Sequence, residues 1–482
     1  WSSTMLTVKA PRLRRRCFSS AAPLADAVLS RLEAACRVTT NASILDRHGD
    51  DESHHPSQPP AVVAFARSTE QVQAIVRLCA ESRTPLIPFG AGTSLEGHIA
   101  ATRGGVCLDM SEMDAVLHVS AEDMDCSVQA GLTRLSLNEH LRHSGLRFPV
   151  DPGADASIGG MAACGASGTS AVRCGTMSEN VLGLRAVLAS GEVITTGGRA
   201  RKSSAGYDLT RLLVGSEGTL AVITEATLRL QAVPAAAAAA VCLFPSLPAA
   251  ASAVALVLQS GVPVSRCEIL DTPAVAAFNA YARDVPALPE GPTLLFEFEG
   301  TSEAAVAEQA EISAECCAEH GGGGFEWSTK EEERRRLWQA RHATYYAALA
   351  LRPGSRGIVT DAAVPISQLA RVIEATAADV EASRVVGPIF GHAGDGNFHC
   401  ILLAHPDDPA EYTERLHAVH YRLLERALAC GGTCTGEHGI GIGKKAWLPK
   451  QHGAGAVGVM RAIKLALDPL NILNPDKVVD VA

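Results

Sequence analysis

Apolar residues recur along this chain with spacings that predict both helices and strands. After Ser68, apolar side chains at Val72, Ile75 and Val76 follow the spacing of a capped amphipathic helix. Similar patterns predict helices over 249–259, 303–319, 368–383 and 411–430. Short apolar runs predict strands over 106–108, 126–128, 220–230 and 293–298, and a hairpin over 185–195.

The pattern changes near Pro234, where a run of alanines begins. Before this point short strands are mixed with helices and many glycines. After it, longer helices accompany strands in a pattern typical of helices packed on an antiparallel sheet. We therefore predict an α+β protein whose two main parts meet near Pro234.

Composition and charge narrow the classes of function. The 482 residues are 47% apolar and 20% charged, which argues against a disordered or fibrous protein. Lys and Arg number 42 against 52 Asp and Glu, and only 4% of the residues are aromatic. An acidic chain with few aromatic side chains lacks the surfaces of a general nucleic-acid binder. We expect a compact enzyme with no nucleic-acid partner.

The first 25 residues differ from the rest in charge. No acidic residue precedes Asp26, whereas this stretch contains Lys9, Arg12 and three consecutive arginines at 14–16, followed by serines. Such an Arg-rich, acid-free composition is typical of an organellar transit peptide. We predict a transit peptide over 1–25 and a mitochondrial location; a chloroplast address has similar chemistry and stays open.

The cysteines and the apolar runs indicate the kind of compartment in which the chain folds. The 14 cysteines form no Cys-x-x-Cys motif, so zinc-ribbon, thioredoxin-like and c-type haem motifs are absent from the sequence. Single scattered cysteines are typical of thiols in a reducing compartment. No apolar run reaches the roughly 18 residues of a membrane span.

Three glycine-rich segments in the first half are candidates for cofactor binding. The first, 88–97, follows a predicted strand, and its small residues would let backbone N–H groups approach a phosphate, although an ordinary glycine turn has the same pattern. The second, 151–168, suits a backbone that lies against a flat cofactor, with a flexible linker as the alternative. The third, 215–220, has the pattern of a tight turn before a strand.

Together, in this order and spacing, these segments resemble the FAD-binding domain of the vanillyl-alcohol-oxidase type, also called the PCMH type, in the FAD-linked oxidase family. The resemblance extends from about Arg47 to Val479. The most similar branch is that of the D-lactate dehydrogenases (cytochrome), beside glycolate oxidase flavoprotein subunits and D-2-hydroxyglutarate dehydrogenases. It implies an FAD-binding domain over 26–234, an α+β cap (substrate) domain with an antiparallel sheet over 235–430, and a C-terminal segment, 431–482, that returns to the FAD domain.

The resemblance also implies which residues hold the FAD. The first glycine segment would bind the pyrophosphate, and further positions would contact the adenosine and isoalloxazine parts. The implied cofactor residues are Pro88, Phe89, Gly90, Ala91, Gly92, Thr93, Ser94, Asp151, Ser157, Ile158, Gly159, Gly165, Ser167, Gly168, Ile223 and Asn474. Some relatives attach the flavin covalently through a His just after the first glycine turn. Thr93 and Ser94 occupy that place here, so we predict non-covalent FAD, with His98 as the alternative point of attachment.

A fourth segment, 391–399, places two histidines around a strong turn signal, Asp395-Gly396. Two strands joined at this turn would bring His392 and His399 together. Paired imidazoles suit a divalent ion such as Zn²⁺ or Mn²⁺. A hairpin with incidental histidines is the alternative interpretation.

A fifth segment, 432–445, sets Glu437 and His438 between glycines. A phosphate loop is one interpretation, but the segment lacks the Gly and the Ser or Thr that the P-loop pattern requires. In the other interpretation Glu437 completes a metal site and His438 stays free as a general base. The family resemblance implies the latter, with His392, His399 and Glu437 as metal ligands and His438 as catalytic base.

Two further positions concern the substrate. The resemblance implies that the Arg of a Trp-x-x-Arg motif, here Arg341, binds the substrate carboxylate, with Arg352 and Arg356 as rivals. Ile401, two residues after His399, stands where hydroxyglutarate-oxidising relatives have an Asn. An apolar side chain there would leave a distal carboxylate unpaired, which favours a small or aliphatic hydroxy acid.

We therefore expect an FAD- and metal-dependent dehydrogenase that oxidises D-lactate and similar D-2-hydroxy acids to 2-keto acids, with hydride transfer to flavin N5. Cytochrome c is the implied electron acceptor; oxygen and a ubiquinone-linked carrier are alternatives. Glycolate and D-2-hydroxyglutarate are alternative substrates. Alternatives from other classes are a metal hydrolase and an inactive flavin-binding module. A homodimer is one option that the sequence leaves open.

Overall fold

The computed structural model describes residues 24–282 and 287–481. The predicted transit peptide, apart from its last two residues, lies outside the described residues. The first half contains these elements in chain order: α1 (Asp26–Ala35), β1 (Arg37–Thr39), α2 (Ala42–His48), β2 (Val62–Phe65), α3 (Thr69–Ser82), β3 (Leu86–Phe89), β4 (Val106–Asp109), β5 (Val116–Ser120), β6 (Asp125–Gln129), α4 (Arg134–Leu141), β7 (Leu146–Arg147), α5 (Ile158–Cys164), α6 (Ala171–Cys174), α7 (Met177–Asn180), β8 (Val181–Leu188), β9 (Val193–Gly197), α8 (Leu209–Leu213), β10 (Ala221–Arg229) and β11 (Gln231–Ala232).

The second half continues with longer helices and one large sheet. Its elements are β12 (Ala236–Leu243), α9 (Leu247–Gln259), β13 (Arg266–Leu270), α10 (Thr272–Tyr281), β14 (Thr293–Gly300), α11 (Glu303–Glu319), β15 (Gly323–Ser328), α12 (Glu331–His342), α13 (Thr344–Ala350), β16 (Arg356–Val359), β17 (Ala362–Ala363), α14 (Ile366–Ala382), β18 (Ile389–His392), β19 (Asn397–Ala404), α15 (Ala410–Ala429) and α16 (Leu448–Leu467). The predicted helices and strands fall within these elements to within a few residues.

Two small sheets share one core in the first half. The strand order is β1-β2-β4-β3 in the first sheet, in which β2 and β3 run parallel to β4, and β5-β6-β10-β8-β9 in the antiparallel second sheet. Helix α3 is capped as predicted, because the Ser68 hydroxyl accepts a hydrogen bond from the Gln71 N–H. Its apolar face, with Val72, Ile75 and Val76, packs into the core between the sheets.

The second half is built on one antiparallel sheet with the order β15-β12-β14-β13-β18-β19-β16, and β17 also pairs with β19. Residues of α9, α11, α14 and α15 form the core on one face. Residues of α10, α12 and α13 pack on the other face. Since side chains alternate between the faces of a strand, this second face receives Glu268, Phe390, His392, His399 and Ile401.

The alanine run forms a strand. Strand β12 pairs with β14 on one side and β15 on the other, and Ala238 and Ala240 are buried beneath the helices. Alanine has a low intrinsic preference for strands. The strand conformation of β12 is therefore stabilised by pairing with β14 and β15 and by burial of the alanine methyl groups, and not by the intrinsic preference of alanine.

The C-terminal segment connects the two halves. Leu473 bridges to Leu86 of β3, and the Lys464 ammonium, which is buried, donates to the carbonyls of Thr219 and Leu473 at 2.8 Å. Along α16, Met460 packs against the core of the large sheet, whereas Ile463 packs against the core of the first half. The chain after 431 thus returns from the second half to pack beside β3 of the first half.

The cysteines have the character predicted from the sequence. The thirteen described cysteines are free, and ten of them are buried. Burial raises the pKa of the Cys79 thiol to about 12, so this group stays protonated and unreactive at neutral pH. Separately, none of the helices within 24–282 and 287–481 is long and apolar enough to cross a membrane.

Candidate active site

A deep cavity lies between the glycine-rich loops of the first half and the second face of the large sheet. One wall is formed by the loop after β3 and by backbone around α5. The opposite wall carries Arg341, His392, His399, Glu437 and His438. The cavity therefore places the segments with candidate cofactor chemistry and those with candidate metal chemistry in one space.

The glycine wall requires residues without a side chain. A Cβ at Gly90 would lie 2.1 Å from the hydroxyl oxygen of Ser157, and a Cβ at Gly159 would lie 2.6 Å from the Cβ of Ala130. These close approaches leave a lining of backbone and small side chains, which is the type of surface on which an extended cofactor can lie. The wall fits the FAD that the sequence predicts.

Most of the predicted cofactor residues reach this cavity. The twelve that line it are Pro88, Phe89, Gly90, Ala91, Gly92, Thr93, Ser94, Ser157, Gly159, Ser167, Ile223 and Asn474.

The structure does not bring the other four, Asp151, Ile158, Gly165 and Gly168, to the cavity surface. Ile158 is fully buried in the core, and Gly165 ends α5 in a left-handed conformation. Gly168 packs against the backbone of Asp151, whose carboxylate accepts hydrogen bonds from Thr169 and Arg266. These residues shape the wall from behind, and their contact with the cofactor stays a prediction.

Asn474 reaches the cavity from the C-terminal segment. Its amide nitrogen donates to the backbone carbonyls of His98 at 3.0 Å and Glu217 at 2.7 Å. Its amide oxygen is buried and has no hydrogen-bond partner among the described residues. This free acceptor at the cavity wall is consistent with a ligand group that the protein alone does not supply.

Glu217 is a residue that sequence analysis missed. Its carboxylate accepts hydrogen bonds from the backbone N–H groups of Ile440 and Gly441, at 2.6 and 2.8 Å. Another contact is with His98, whose Nε2 lies 3.1 Å away; burial alone would lower the pKa of His98, but the Glu217 carboxylate raises it. The third glycine segment, predicted only as a turn, thus anchors the loop that follows His438.

Three imidazoles converge on one oxygen of Glu437. Its Oε1 atom lies 3.3 Å from Nε2 of His392, 3.2 Å from Nε2 of His399 and 3.5 Å from Nε2 of His438. The turn at 393–396 joins β18 to β19, so the predicted hairpin does bring the first two histidines together. The loop containing Glu437 and His438 comes from a later part of the chain.

The outer nitrogens of two of these histidines are already occupied. Nδ1 of His392 lies 2.7 Å from Oε1 of Glu268, and Nδ1 of His399 lies 3.0 Å from the carbonyl oxygen of Thr360. A hydrogen bond donated by Nδ1 leaves the Nε2 lone pair free to bind a metal. Together with Glu437, the donor set fits a divalent ion such as Zn²⁺ or Mn²⁺.

The charges around Glu437 favour a cation at this position. Burial would raise the pKa of its carboxyl, but His392 and the imidazole hydrogen bonds hold that pKa well below its usual value. Burial would lower the pKa of His392, yet the carboxylates of Glu268 and Glu437 raise it well above its usual value. The protein thus stabilises positive charge beside Glu437, and a bound divalent metal would provide the same charge.

Asp361 is a second residue that sequence analysis missed. Its Oδ2 atom accepts from the Thr435 hydroxyl and from the N–H groups of Gly436, Glu437 and His438, at 2.6 to 3.0 Å. Asp361, His399, Glu437 and His438 also have ligand atoms within 4.8 Å of one another. Because Asp361 is buried and already accepts these bonds, it holds the loop in place. The signal in the sequence that could have marked Asp361 is its position as a single Asp between the short apolar strands β16 and β17.

Arg341 is the arginine that the structure brings to the cavity. It is buried at the end of α12, its guanidinium pairs with Glu268, and its Cζ atom lies 5.0 Å from the ring centroid of Phe390. Its Nε is buried without a hydrogen-bond partner among the described residues. The rival Arg352 pairs with Asp408 outside the cavity, and the rival Arg356 is exposed.

Ile401 lies in the cavity wall on the same face of β19 as His399. It is 1% exposed and packs in a small apolar cluster with Val359 and Tyr345, which also line the cavity. The side of the cavity next to the histidines is therefore apolar at the position that the sequence singled out.

Comparison with known families agrees with this geometry. Residues 60–197 match the model described as "FAD binding domain", and residues 233–478 match the one described as "FAD linked oxidases, C-terminal domain". A solved structure of p-cresol methylhydroxylase with bound substrate shares the fold, with a TM-score of 0.74, 16% identity and coverage of 95% of this chain and 97% of that one. This likeness confirms the predicted α+β, PCMH-type fold.

Curated relatives are similar over almost the whole chain. A protein of Danio rerio named "Probable D-lactate dehydrogenase, mitochondrial" is 47% identical over 99% of this chain and 97% of its own length. One of Arabidopsis thaliana named "D-lactate dehydrogenase [cytochrome], mitochondrial" is 45% identical over 90% of this chain and 76% of its own length. The predicted resemblance is thus confirmed, and the chain belongs to the FAD-linked oxidase family as an FAD-dependent oxidoreductase.

Proposed function

We propose that this protein oxidises D-lactate and similar small D-2-hydroxy acids to 2-keto acids, using FAD and a divalent metal. The observation that supports this most strongly is the convergence of three imidazoles on Glu437 inside the cavity that also contains the glycine wall and Arg341. The names of the relatives from Danio rerio and Arabidopsis thaliana refer to the same substrate.

Arg341 would bind the carboxylate of the substrate. A guanidinium offers several N–H donors in one plane, and carboxylates are its preferred partners. Its contact with Glu268 fixes one edge of the group, while the buried Nε still lacks a partner among the described residues. The remaining donors can therefore hold the acid end of a hydroxy acid in a fixed orientation.

His438 would remove the proton of the substrate hydroxyl. It lines the cavity beside Glu437, and its Nδ1 atom is buried without a hydrogen-bond partner among the described residues. Burial would lower the pKa of His438, but the nearby carboxylates of Asp361 and Glu437 raise it. His438 must be unprotonated before it can accept the hydroxyl proton. After the transfer it is protonated, and the two carboxylates stabilise that form.

The cofactors supply the remaining chemistry. Bound FAD would accept the C2 hydride, and a divalent metal held by His392, His399 and Glu437 would act as a Lewis acid on the 2-hydroxyl. The chain itself orients the substrate through Arg341 and keeps the side next to Ile401 apolar. A small aliphatic tail fits this wall, whereas a second carboxylate would find no partner in Ile401.

We propose that the FAD is bound without a covalent link. Neither Thr93 nor Ser94 can take the place of the histidine linkage, and the Ser94 hydroxyl donates to Asp51 at 2.8 Å. The alternative position, His98, is buried and paired with Glu217. Denaturation should therefore release the flavin, and flavin that stays with the precipitated protein would contradict this part of the proposal.

The remaining proposals concern location and electron transfer. The basic composition of 1–25 and the word "mitochondrial" in the names of both relatives support a mitochondrial address. The word "cytochrome" in the Arabidopsis thaliana name supports cytochrome c as acceptor. An acidic enzyme would also attract a basic electron carrier. We retain the domain limits 26–234, 235–430 and 431–482 as proposals.

The direct test is an assay of the purified, FAD- and metal-loaded protein with dye or cytochrome c as acceptor. The proposal predicts that D-lactate reduces the acceptor and yields pyruvate, while L-lactate does not. Faster oxidation of glycolate or D-2-hydroxyglutarate would assign the protein to one of the alternative substrates. Reduction of the dye with no reduction of cytochrome c would contradict only the proposed acceptor.

A further inference from the structure

Glu268 lies at the meeting point of the metal side and the substrate side of the cavity. It is on β13, directly opposite His392 of the neighbouring strand β18, and its exposed fraction is 0%. Neither the sequence motifs nor the family resemblance singled it out. Its place on the cavity face of β13 follows from the alternation of side chains along that strand.

The two oxygens of this carboxylate have different partners. Oε1 accepts from Nδ1 of His392 at 2.7 Å, and Oε2 accepts from Nη2 of Arg341. A buried carboxylate is costly unless its oxygens are paired, so both contacts contribute to keeping the charge in this place. The same contacts restrict the orientation of the imidazole and of the guanidinium.

We propose that Glu268 is a positioning residue that couples the metal ligand His392 to the carboxylate ligand Arg341. This inference rests on the proposed function. Through Oε1 it fixes the ring so that Nε2 faces Glu437, and through Oε2 it fixes the guanidinium beside Phe390. Occupation of the metal site and binding of the substrate carboxylate then depend on one buried side chain.

The substitution Glu268→Gln separates this role from simple filling of space. The amide has nearly the same shape, but only one of its two ends accepts hydrogen bonds. Its other end would present N–H donors to the donor of His392 or to that of Arg341. The variant must therefore weaken the orientation of at least one of the two, whichever way the amide turns.

A matched control is available on the adjacent strand. Glu297 of β14 is 6% exposed, and it pairs with Arg266 and Arg334, away from the histidines. Glu297→Gln removes another buried carboxylate from the same sheet. Any loss that comes only from removing a buried carboxylate should appear in both variants.

Two binding measurements test the inference without turnover. In the first, metal-free protein that retains its FAD is titrated with Zn²⁺ or Mn²⁺. In the second, protein that contains both FAD and metal is titrated with pyruvate, and binding is followed by the flavin absorbance. For Glu268→Gln we expect metal affinity to fall about 10- to 100-fold or pyruvate affinity to fall about 10-fold, while Glu297→Gln stays near wild type in both. Excess metal should restore kcat if the orientation of His392 is lost, whereas a raised KM for D-lactate should persist in excess metal if the orientation of Arg341 is lost.

The possible outcomes distinguish a failure of the role assigned to Glu268 from a failure of the proposed function. Wild-type values for both affinities in Glu268→Gln, or equal losses in both variants, would overturn the role of Glu268 and leave the proposed function intact. A wild-type protein that binds neither metal nor pyruvate would overturn the proposed function together with this inference. Should Glu268→Gln not fold, Glu268→Asp keeps the charge but is one methylene too short to reach both partners. It is judged by the same two titrations.

Discussion

His399 and His438 lie with their imidazole rings stacked, 10° from parallel and with ring centroids 5.0 Å apart. Their outer nitrogens differ. Nδ1 of each ring lies 3.8 Å from a carboxylate oxygen of Asp361. Nδ1 of His399 also lies 3.0 Å from the carbonyl oxygen of Thr360, whereas Nδ1 of His438 has no hydrogen-bond partner among the described residues. A ring fixed by a hydrogen bond suits a metal ligand, and a ring without such a bond remains available as a base.

The first prediction concerns the base. Substitution His438→Ala should lower kcat for D-lactate by roughly 10² to 10⁴, the usual contribution of general base catalysis. The flavin should stay bound, because His438 is on the wall opposite the glycine loops. Steady-state kinetics and the flavin spectrum measure the two effects. The exposed His118, substituted by Ala, is the control; near-normal turnover in His438→Ala would refute the assignment.

A second prediction concerns the metal. Removal of divalent ions with a chelator should abolish D-lactate oxidation while the protein keeps its FAD, since His392, His399 and Glu437 form a site separate from the glycine wall. Addition of Zn²⁺ or Mn²⁺ should restore the activity, and metal analysis should find about one ion per chain. Full activity in demonstrably metal-free enzyme would show that the metal has no role.

A third prediction concerns the substrate side chain. In the variant Ile401→Asn, kcat/KM should fall for D-lactate and rise for D-2-hydroxyglutarate, because the amide can pair with a distal carboxylate. The conservative variant Ile401→Val, which keeps the wall apolar, should retain the original preference. Parallel kinetics with both acids check this. An unchanged ratio of the two kcat/KM values in Ile401→Asn would place the specificity elsewhere in the cavity.

A fourth prediction concerns stability and pH. Burial raises the pKa of Asp271, the N-cap of α10, to about 7, while the unfolded value is about 3.9. Between these values the folded protein binds more protons than the unfolded chain, so this residue lowers the free energy of unfolding as pH rises from 5 to 8.

The variant Asp271→Asn isolates that contribution. It keeps a side-chain oxygen that can accept from the Ala274 N–H, and it removes the titration. Denaturant unfolding at pH 5 and pH 8 should show a smaller loss of stability with rising pH than in the wild type. Asp114→Asn, at an exposed position, serves as control. The same pH dependence in Asp271→Asn and wild type would refute the assignment.

Local patterns were sufficient for much of the fold. The helix capped by Ser68 and the hairpin that joins His392 to His399 depend on neighbouring residues, so spacing and turn signals predict them. The alanine strand β12 was not predicted, because its conformation depends on β14 and β15, which follow much later in the chain.

The candidate site could be predicted only in part, because it too depends on contacts between residues that are far apart in the sequence. Motifs marked Glu437 and His438, but the residues that hold their loop, Glu217 and Asp361, are separated from it by more than 70 positions. Glu217 lies in a segment whose pattern predicts only a turn, and Asp361 lies in no motif. Glu268 is 124 positions from His392. The glycine-rich pattern over 151–168 marks a segment as a whole, and only the three-dimensional structure shows which of its residues line the cavity.

The proposed function requires that D-lactate transfer its C2 hydride to the flavin of this protein. Anaerobic titration of the FAD- and metal-loaded enzyme, followed by flavin absorbance, tests it without any assumption about the acceptor. We expect D-lactate to bleach the flavin and yield pyruvate, L-lactate to leave the flavin oxidised, and D-2-hydroxyglutarate to react more slowly. Flavin that stays oxidised in excess D-lactate would refute the proposed oxidation of D-lactate.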